Sequence, residues 1–145
     1  MLMFMVLINS ILFTGCWNYR EVEEFSIVSG VAVDKGNNNQ YQMTVEVIQI
    51  SGGKESKITS KTITSEGKTM FDAARNVIAI SGKKLYWAHT KVIILSKEVA
   101  SEGVTKVIEW YNRDAETRED VHLLVSKGES AKEIISESQT TEPVK

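Results

Sequence analysis

The chain is poor in several things that commonly decide function. Its 145 residues contain one cysteine, one proline and two histidines. A single cysteine excludes an internal disulfide and a thiolate zinc cluster, and His89 and His122 form no metal-type pair at helical spacing. No apolar run reaches the ~20 residues that cross a bilayer as a helix. The formal net charge is −2, with 17 basic residues interleaved among 19 acidic ones. There is therefore no basic field for a nucleic-acid partner and no polybasic reinforcement of membrane binding. The low proline count and 42% hydrophobic residues describe an ordered globular chain, not a linker or low-complexity tail. No internal repeat is visible.

What is there begins at the start. Met1 to Phe13 is uncharged and apolar, interrupted only by Asn9 and Ser10, and leads through Thr14-Gly15 to Cys16. A run of roughly fifteen residues fits the h-region of a signal peptide better than a membrane span. A lone cysteine directly after such a run and two small residues reads as the lipid-acceptor residue of a bacterial lipoprotein. On that reading residues 1–15 are the signal and the mature protein begins at Cys16. Phe13 stands three residues before the cysteine, where Leu is usual, and no Lys or Arg precedes Cys16, although a basic n-region normally orients a signal. The simplest repair is a true start upstream of Met1. The competing reading makes Met1 to Phe13 a core segment and Cys16 an ordinary small buried residue. It requires a covering partner in a chain that turns abruptly polar at Asn18. Lipidation has a definite consequence: two acyl chains, at about 0.8 kcal/mol per buried methylene, hold a protein on a membrane where one chain binds only reversibly.

After residue 16 about 130 residues remain, enough for one domain with a proper core. Residues 16–24 are a charged tether, with Trp17 suited to the headgroup level, where indole is favoured. Phe25 to Lys35 carries hydrophobics on both faces, as a central strand does, and Gly30 inside it marks a bulge or a close backbone approach. Gly36-Asn37-Asn38-Asn39 is hairpin-tip chemistry. Tyr41, Met43, Val45 and Val47 then alternate with Gln42, Thr44 and Glu46, and a phase slip at Val47-Ile48 predicts a bulge there. Ser56 to Ser65 reads as a polar edge strand, with Lys57 and Lys61 discouraging stray pairing.

From Thr69 the period becomes helical: Thr69 and Asp72 resemble a capping box, and Gly82 a C-terminal cap. Val92 to Leu95 reads as a buried strand, Ser96 to Ala100 as a helical turn, and Val104, Val107, Ile108 and Tyr111 as the stripe of a second main helix. Val121, Leu123 and Val125 alternate as a strand. Ser130 and Glu133 make a capping box ahead of a third helix carrying Ala131, Ile134 and Ile135. The order β-β-β-α-β-α-β-α predicts an α+β fold, a mixed and largely antiparallel sheet with helices packed against it.

Candidate chemistry is sparse. Gly67-Lys68-Thr69 at a helix start resembles the end of a phosphate-binding loop, but the first glycine that motif needs would fall at Thr62. Ser, His and Asp occur without a frame such as Gly-x-Ser-x-Gly to position them. His89, beside Trp87, reads as a packing residue with a satisfied hydrogen bond. The charge-dense stretch from Arg113 to Asp120 reads as a solvated loop, with a partner-binding face as its alternative. Trp87 and Trp110 read as core. No catalytic residue, cofactor or metal is expected.

Cys16-Trp17-Asn18-Tyr19-Arg20-Glu21-Val22, followed by Ile27 to Lys35, resembles the N-terminus of the Ger(x)C spore germination lipoproteins, the C subunits of nutrient germinant receptors. Asn18 replaces the usual Asp, while Arg20 and Glu21 match. The resemblance continues through Trp87-Ala88-His89-Thr90-Lys91-Val92-Ile93-Ile94, Glu98-Val99-Ala100 with Gly103, Asn112-Arg113-Asp114 with Arg118, and Val125-Ser126-Lys127-Gly128 with Ala131. It implies a non-enzymatic lipoprotein, anchored through Cys16 on the extracytoplasmic face of the spore inner membrane and acting with two integral-membrane receptor subunits. Trp17, Arg20, Glu21, Trp87, His89, Lys91, Arg113 and Arg118 are the implied motif or partner-contact residues. Family members are longer, with three domains, so residues 25–145 are expected to be the first domain without its successors. A lipid-anchored solute-binding protein is the alternative, although no convergent cluster of aromatics and charges predicts a pocket.

Overall fold

Residues 25–51, 57–113, 117, 118 and 120–137 are described by the computed structural model. The apolar start, Cys16, Trp17, Arg20 and Glu21 lie outside the described residues. Three long strands come first: β1 (Phe25–Lys35), β2 (Tyr41–Ser51) and β3 (Lys57–Gly67). Helix α1 (Met70–Ser81) follows, then β4 (Lys84–Tyr86), a 3₁₀ turn over Trp87–His89, and β5 (Val92–Leu95). Two short helices, α2 (Lys97–Glu102) and α3 (Thr105–Arg113), precede β6 (His122–Val125) and α4 (Lys132–Glu137). The strands form one open sheet ordered β3-β2-β1-β5-β6, with β4 also on β1. Its two long ladders, β1–β2 and β2–β3, are antiparallel. The short pairings of β1 with β4 and β5, and of β5 with β6, are parallel. The expected mixed α+β fold is found.

Local chemistry explains the main turns and caps. Asn38 and Asn39 adopt φ of 53° and 59° between β1 and β2, the left-handed region that Asn tolerates better than most residues. The Thr69 hydroxyl accepts from the Asp72 amide at 3.1 Å and donates to its carboxylate at 2.9 Å, and Gly82 closes α1 with φ 64°. Gly67 has a packing role: a Cβ there would collide with the backbone of Asp72 and Ala73. That accounts for Gly67-Lys68-Thr69 without a phosphate.

One expectation is corrected. The bulge lies in β1, between Val28 and Gly30, while the β2–β3 register runs unbroken through Val47 and Ile48. Ser29 is the extra residue, and its hydroxyl donates to Glu46 Oε2 at 2.6 Å. On the other side of β1, strand β4 stops and β5 resumes past the turn; the Ser29 carbonyl accepts the Lys91 amide there at 2.9 Å. The bulge thus sits where β1 must change partners. Gly30 also fulfils the close-approach reading, since a Cβ would lie 3.3 Å from Val92 Cγ1.

The sheet has unequal faces. On one, Val28, Val31, Val33, Met43, Val45, Val47, Ile63, Ile93 and Leu95 pack with Met70, Ala73 and Val77 of α1 and with Val107, Trp110 and Tyr111 of α3. On the other, a small cluster joins Ala32 and Ile94 to Ala131 and Ile135. Asp34 ties α4 to that second face: its carboxylate accepts from the Ala131 amide at 2.7 Å and from the Lys132 amide at 2.9 Å. A carboxylate is well matched to a helix N-terminus, where amides lack intrahelical partners.

Candidate functional site

The motif residues that fall among the described residues separate into two places. Trp87 opens the 3₁₀ turn between β4 and β5 and is buried, with its ring edge-to-face against Trp110 at 5.3 Å. Edge-to-face pairing sets the positive ring edge against a negative ring face. Trp87 is therefore part of the core, as its sequence context predicts. It also floors a pocket of about 180 Å³ between α1 and α3, whose other lining residues include Phe71, Ile78, Trp110, Arg75 and Arg113. Phe71 and Ile78 are each 39% exposed. The Arg113 guanidinium lies 5.9 Å from the centre of the Phe71 ring, within the range of cation–π attraction. This pocket joins aromatic surface to two guanidinium groups, a combination common at protein interfaces. The sequence does not single out Arg75. Phe71 and Ile78 belong with Ala74 to the apolar stripe of this helix, shifted by one from Met70, Ala74 and Val77; the structure buries the latter set and leaves Phe71 and Ile78 partly exposed.

Lys91, Arg118 and Asp120 lie at the other place, beside the entry to β5 and β6. Lys91 Nζ meets Asp120 Oδ2 at 3.2 Å, with both side chains more than half exposed. The Asp120 carboxyl is held below its ordinary value, first by the hydrogen bond from Lys91 and then by the Lys91 charge, with a smaller contribution from Arg118. His89 is exposed and rests against Tyr86 with ring centres 5.6 Å apart. Tyr86 in turn meets Phe25 edge-to-face at 6.2 Å. His89 packs from the surface, because the 3₁₀ turn buries Trp87 and leaves His89 exposed.

Among the described residues no three His, Cys, Asp or Glu gather as a metal site, and no described helix is long and apolar enough to cross a membrane. An apolar groove of about 290 Å³ runs along Ile93, Val107, Ile108, Tyr111, Val121 and Leu123.

Fold and surface together define an open-sheet α+β domain that presents an arginine-rimmed aromatic pocket and an apolar groove. The chain belongs to the family described as the spore germination protein N-terminal domain, whose model matches residues 18–145. It is similar to three proteins of Bacillus subtilis (strain 168). Spore germination protein B3 is 30% identical over 122 residues, covering 81% of this chain and 32% of the relative. Spore germination protein A3 is 29% identical over 143 residues, covering 94% and 38%. Spore germination protein KC is 25% identical over 140 residues, covering 90% and 34%. The chain thus spans about a third of the length of these curated relatives. No solved structure matches it.

Proposed function

We propose that the protein is a non-enzymatic lipoprotein subunit of a spore nutrient germinant receptor, anchored through Cys16 and docking to two integral-membrane subunits at the spore inner membrane. On this reading residues 25–145 are the first domain of a longer protein. The observation that carries it is the family match over residues 18–145, joined to the apolar run that ends at Cys16. Nine residue steps separate Cys16 from Phe25. At 3.3–3.6 Å per extended residue the sheet begins at most about 30 Å from the lipid. The start of β1, where Phe25, Tyr86 and His89 gather, is therefore the membrane-proximal end. The arginine-rimmed pocket between α1 and α3 is the docking candidate, because its exposed aromatic and aliphatic surface carries fixed positive charge.

The test is Cys16→Ala. The variant is expected to leave the membrane fraction for the soluble one and to slow nutrient-triggered germination. Full membrane retention would overturn the anchor; normal germination from released protein would overturn the receptor role.

A further inference from the structure

The two rims of the sheet are finished differently. Along β3 one exposed apolar residue, Ile58 at 70%, is followed by the exposed Thr59, Ser60 and Lys61, the polar and cationic finish that keeps a free edge from pairing. β6 has no such finish. Its sequence is His122-Leu123-Leu124-Val125, all four residues are exposed, and among the described residues it pairs on one side only, with β5. Leu123 is 38% exposed, Leu124 51% and Val125 53%. The register assigns them to faces: Leu123 lies beside Ile93 and Val125 beside Leu95, on the large-core side, while Leu124 lies beside Ile94, on the α4 side. The edge is consequently apolar on both faces. On the core side it continues into the groove bounded by Ile108, Tyr111 and Val121; on the other side α4 exposes Ile134 at 44%.

We infer that β6 is an interior strand of the finished sheet, and that its open edge is occupied by an extended segment from the polypeptide following Lys145. The inference rests on the reading of this chain as the first domain of a longer protein. An added strand alternates its side chains between faces, so the occupant must be apolar on both: one set fills the groove over Leu123, the other covers Leu124. Residues 138–145, Ser-Gln-Thr-Thr-Glu-Pro-Val-Lys, do not have that pattern and include a proline, which a central strand excludes. The family match is to an N-terminal domain, and the relatives carry about two thirds of their length outside the matched region. The chain also leaves through α4, which packs on Ala32 and Ile94, next to the strand that needs covering. A covalently attached segment acts at millimolar effective concentration, so a four-residue ladder suffices where a free peptide would dissociate.

The experiment compares the uninterrupted gene product with the 145-residue chain, each with and without Leu124→Lys, with Leu124→Thr as a milder second variant. In the longer protein both substitutions are expected to lower the thermal midpoint, Lys by roughly 5 °C, and to speed amide exchange in β6. In the 145-residue chain, where Leu124 meets water, neither should matter. Equal effects in both forms overturn the inference. So does a reading frame that ends at Lys145, or a dimer of the shorter chain that Leu124→Lys dissociates, which would make a second copy the occupant. Failure of the receptor reading shows separately, as loss of co-isolation with the membrane subunits by the unmutated protein.

Discussion

Strands β1 to β3 have eleven residues each and pair antiparallel along most of their length, whereas β5 and β6 have four residues and β4 three, all in parallel register. The long strands are joined by local connections, and their core-facing residues alternate, with one break at the β1 bulge. The short ones are brought together by crossovers of several elements and depend on helices for cover, Trp110 of α3 on one face and Ile135 of α4 on the other. The comparison teaches that the antiparallel half is specified by its own pattern and the parallel half by what packs on it. Local contacts form at small entropic cost, while distant ones must first close a loop.

Trp110→Ala tests that division with the largest expected effect. Trp110 is 5% exposed and braces Trp87 from across the core, and a buried Trp truncated to Ala costs about 3–5 kcal/mol. Urea unfolding should show that loss. Native-state amide exchange should quicken first in β4, β5, β6 and α3, and last in β1 to β3. Uniform quickening across the sheet would erase the distinction between the halves.

The same division governs what the sequence discloses. β2 declares itself because Tyr41, Met43, Val45 and Val47 alternate with polar residues, and α1 because Thr69, Asp72 and Gly82 are local signals read within one turn. The β1 bulge is signalled only by Gly30, which leaves a bulge and a close approach both open, since the bulge answers a change of partner made some sixty residues later, at Lys91. The phase slip at Ile48 is real as a pattern, yet it marks an apolar residue on the face of β2 opposite the large core that Val47 faces. β6 shows the general limit: alternation at Leu123 and Val125 says that these side chains need cover, and nothing in it says what provides the cover. The exposure of His89 is hidden for a related reason, because the turn that separates it from Trp87 is set by tertiary packing. The candidate site was half visible. Trp87 and Arg113 stand out through motif resemblance, while Arg75, and the exposure of Phe71 beside it, require knowing which face of α1 the sheet leaves free.

Asp34→Ala probes the join between the halves and should have an intermediate effect. The carboxylate sits on β1, the strand both halves share, and caps α4 through Ala131 and Lys132. The local capping box read at Ser130 and Glu133 gave no hint of a partner 97 residues away in sequence. Removing a charged acceptor from partly buried amides costs about 2 kcal/mol. Chemical shifts of α4 should move toward coil values while those of β2 and β3 hold, and Asp34→Asn should recover part of the loss. A variant in which α4 stays folded at unchanged stability would show that Ala131 and Ile135 alone hold it to the sheet.

The smallest effect is expected from Lys91→Met, at the entry to the parallel half. Because the Asp120 carboxyl is depressed by Lys91, the pair contributes stability above the ordinary carboxylate value of 3.8. That contribution is lost as pH falls through the lowered folded value. Both groups are more than half exposed, so water and salt screen the attraction and little of it reaches the folding equilibrium. Lys91→Met should therefore return the Asp120 carboxyl toward its ordinary range in an NMR titration and leave the thermal midpoint at neutral pH unchanged. Adding about 1 M salt, where the screening length is roughly 3 Å, should reproduce part of that return in the unmutated chain. A fall in the midpoint at neutral pH would instead mean that the ion pair fixes the approach of the segment before β6 to β5. The parallel half would then be held by surface charge as well as by its helices.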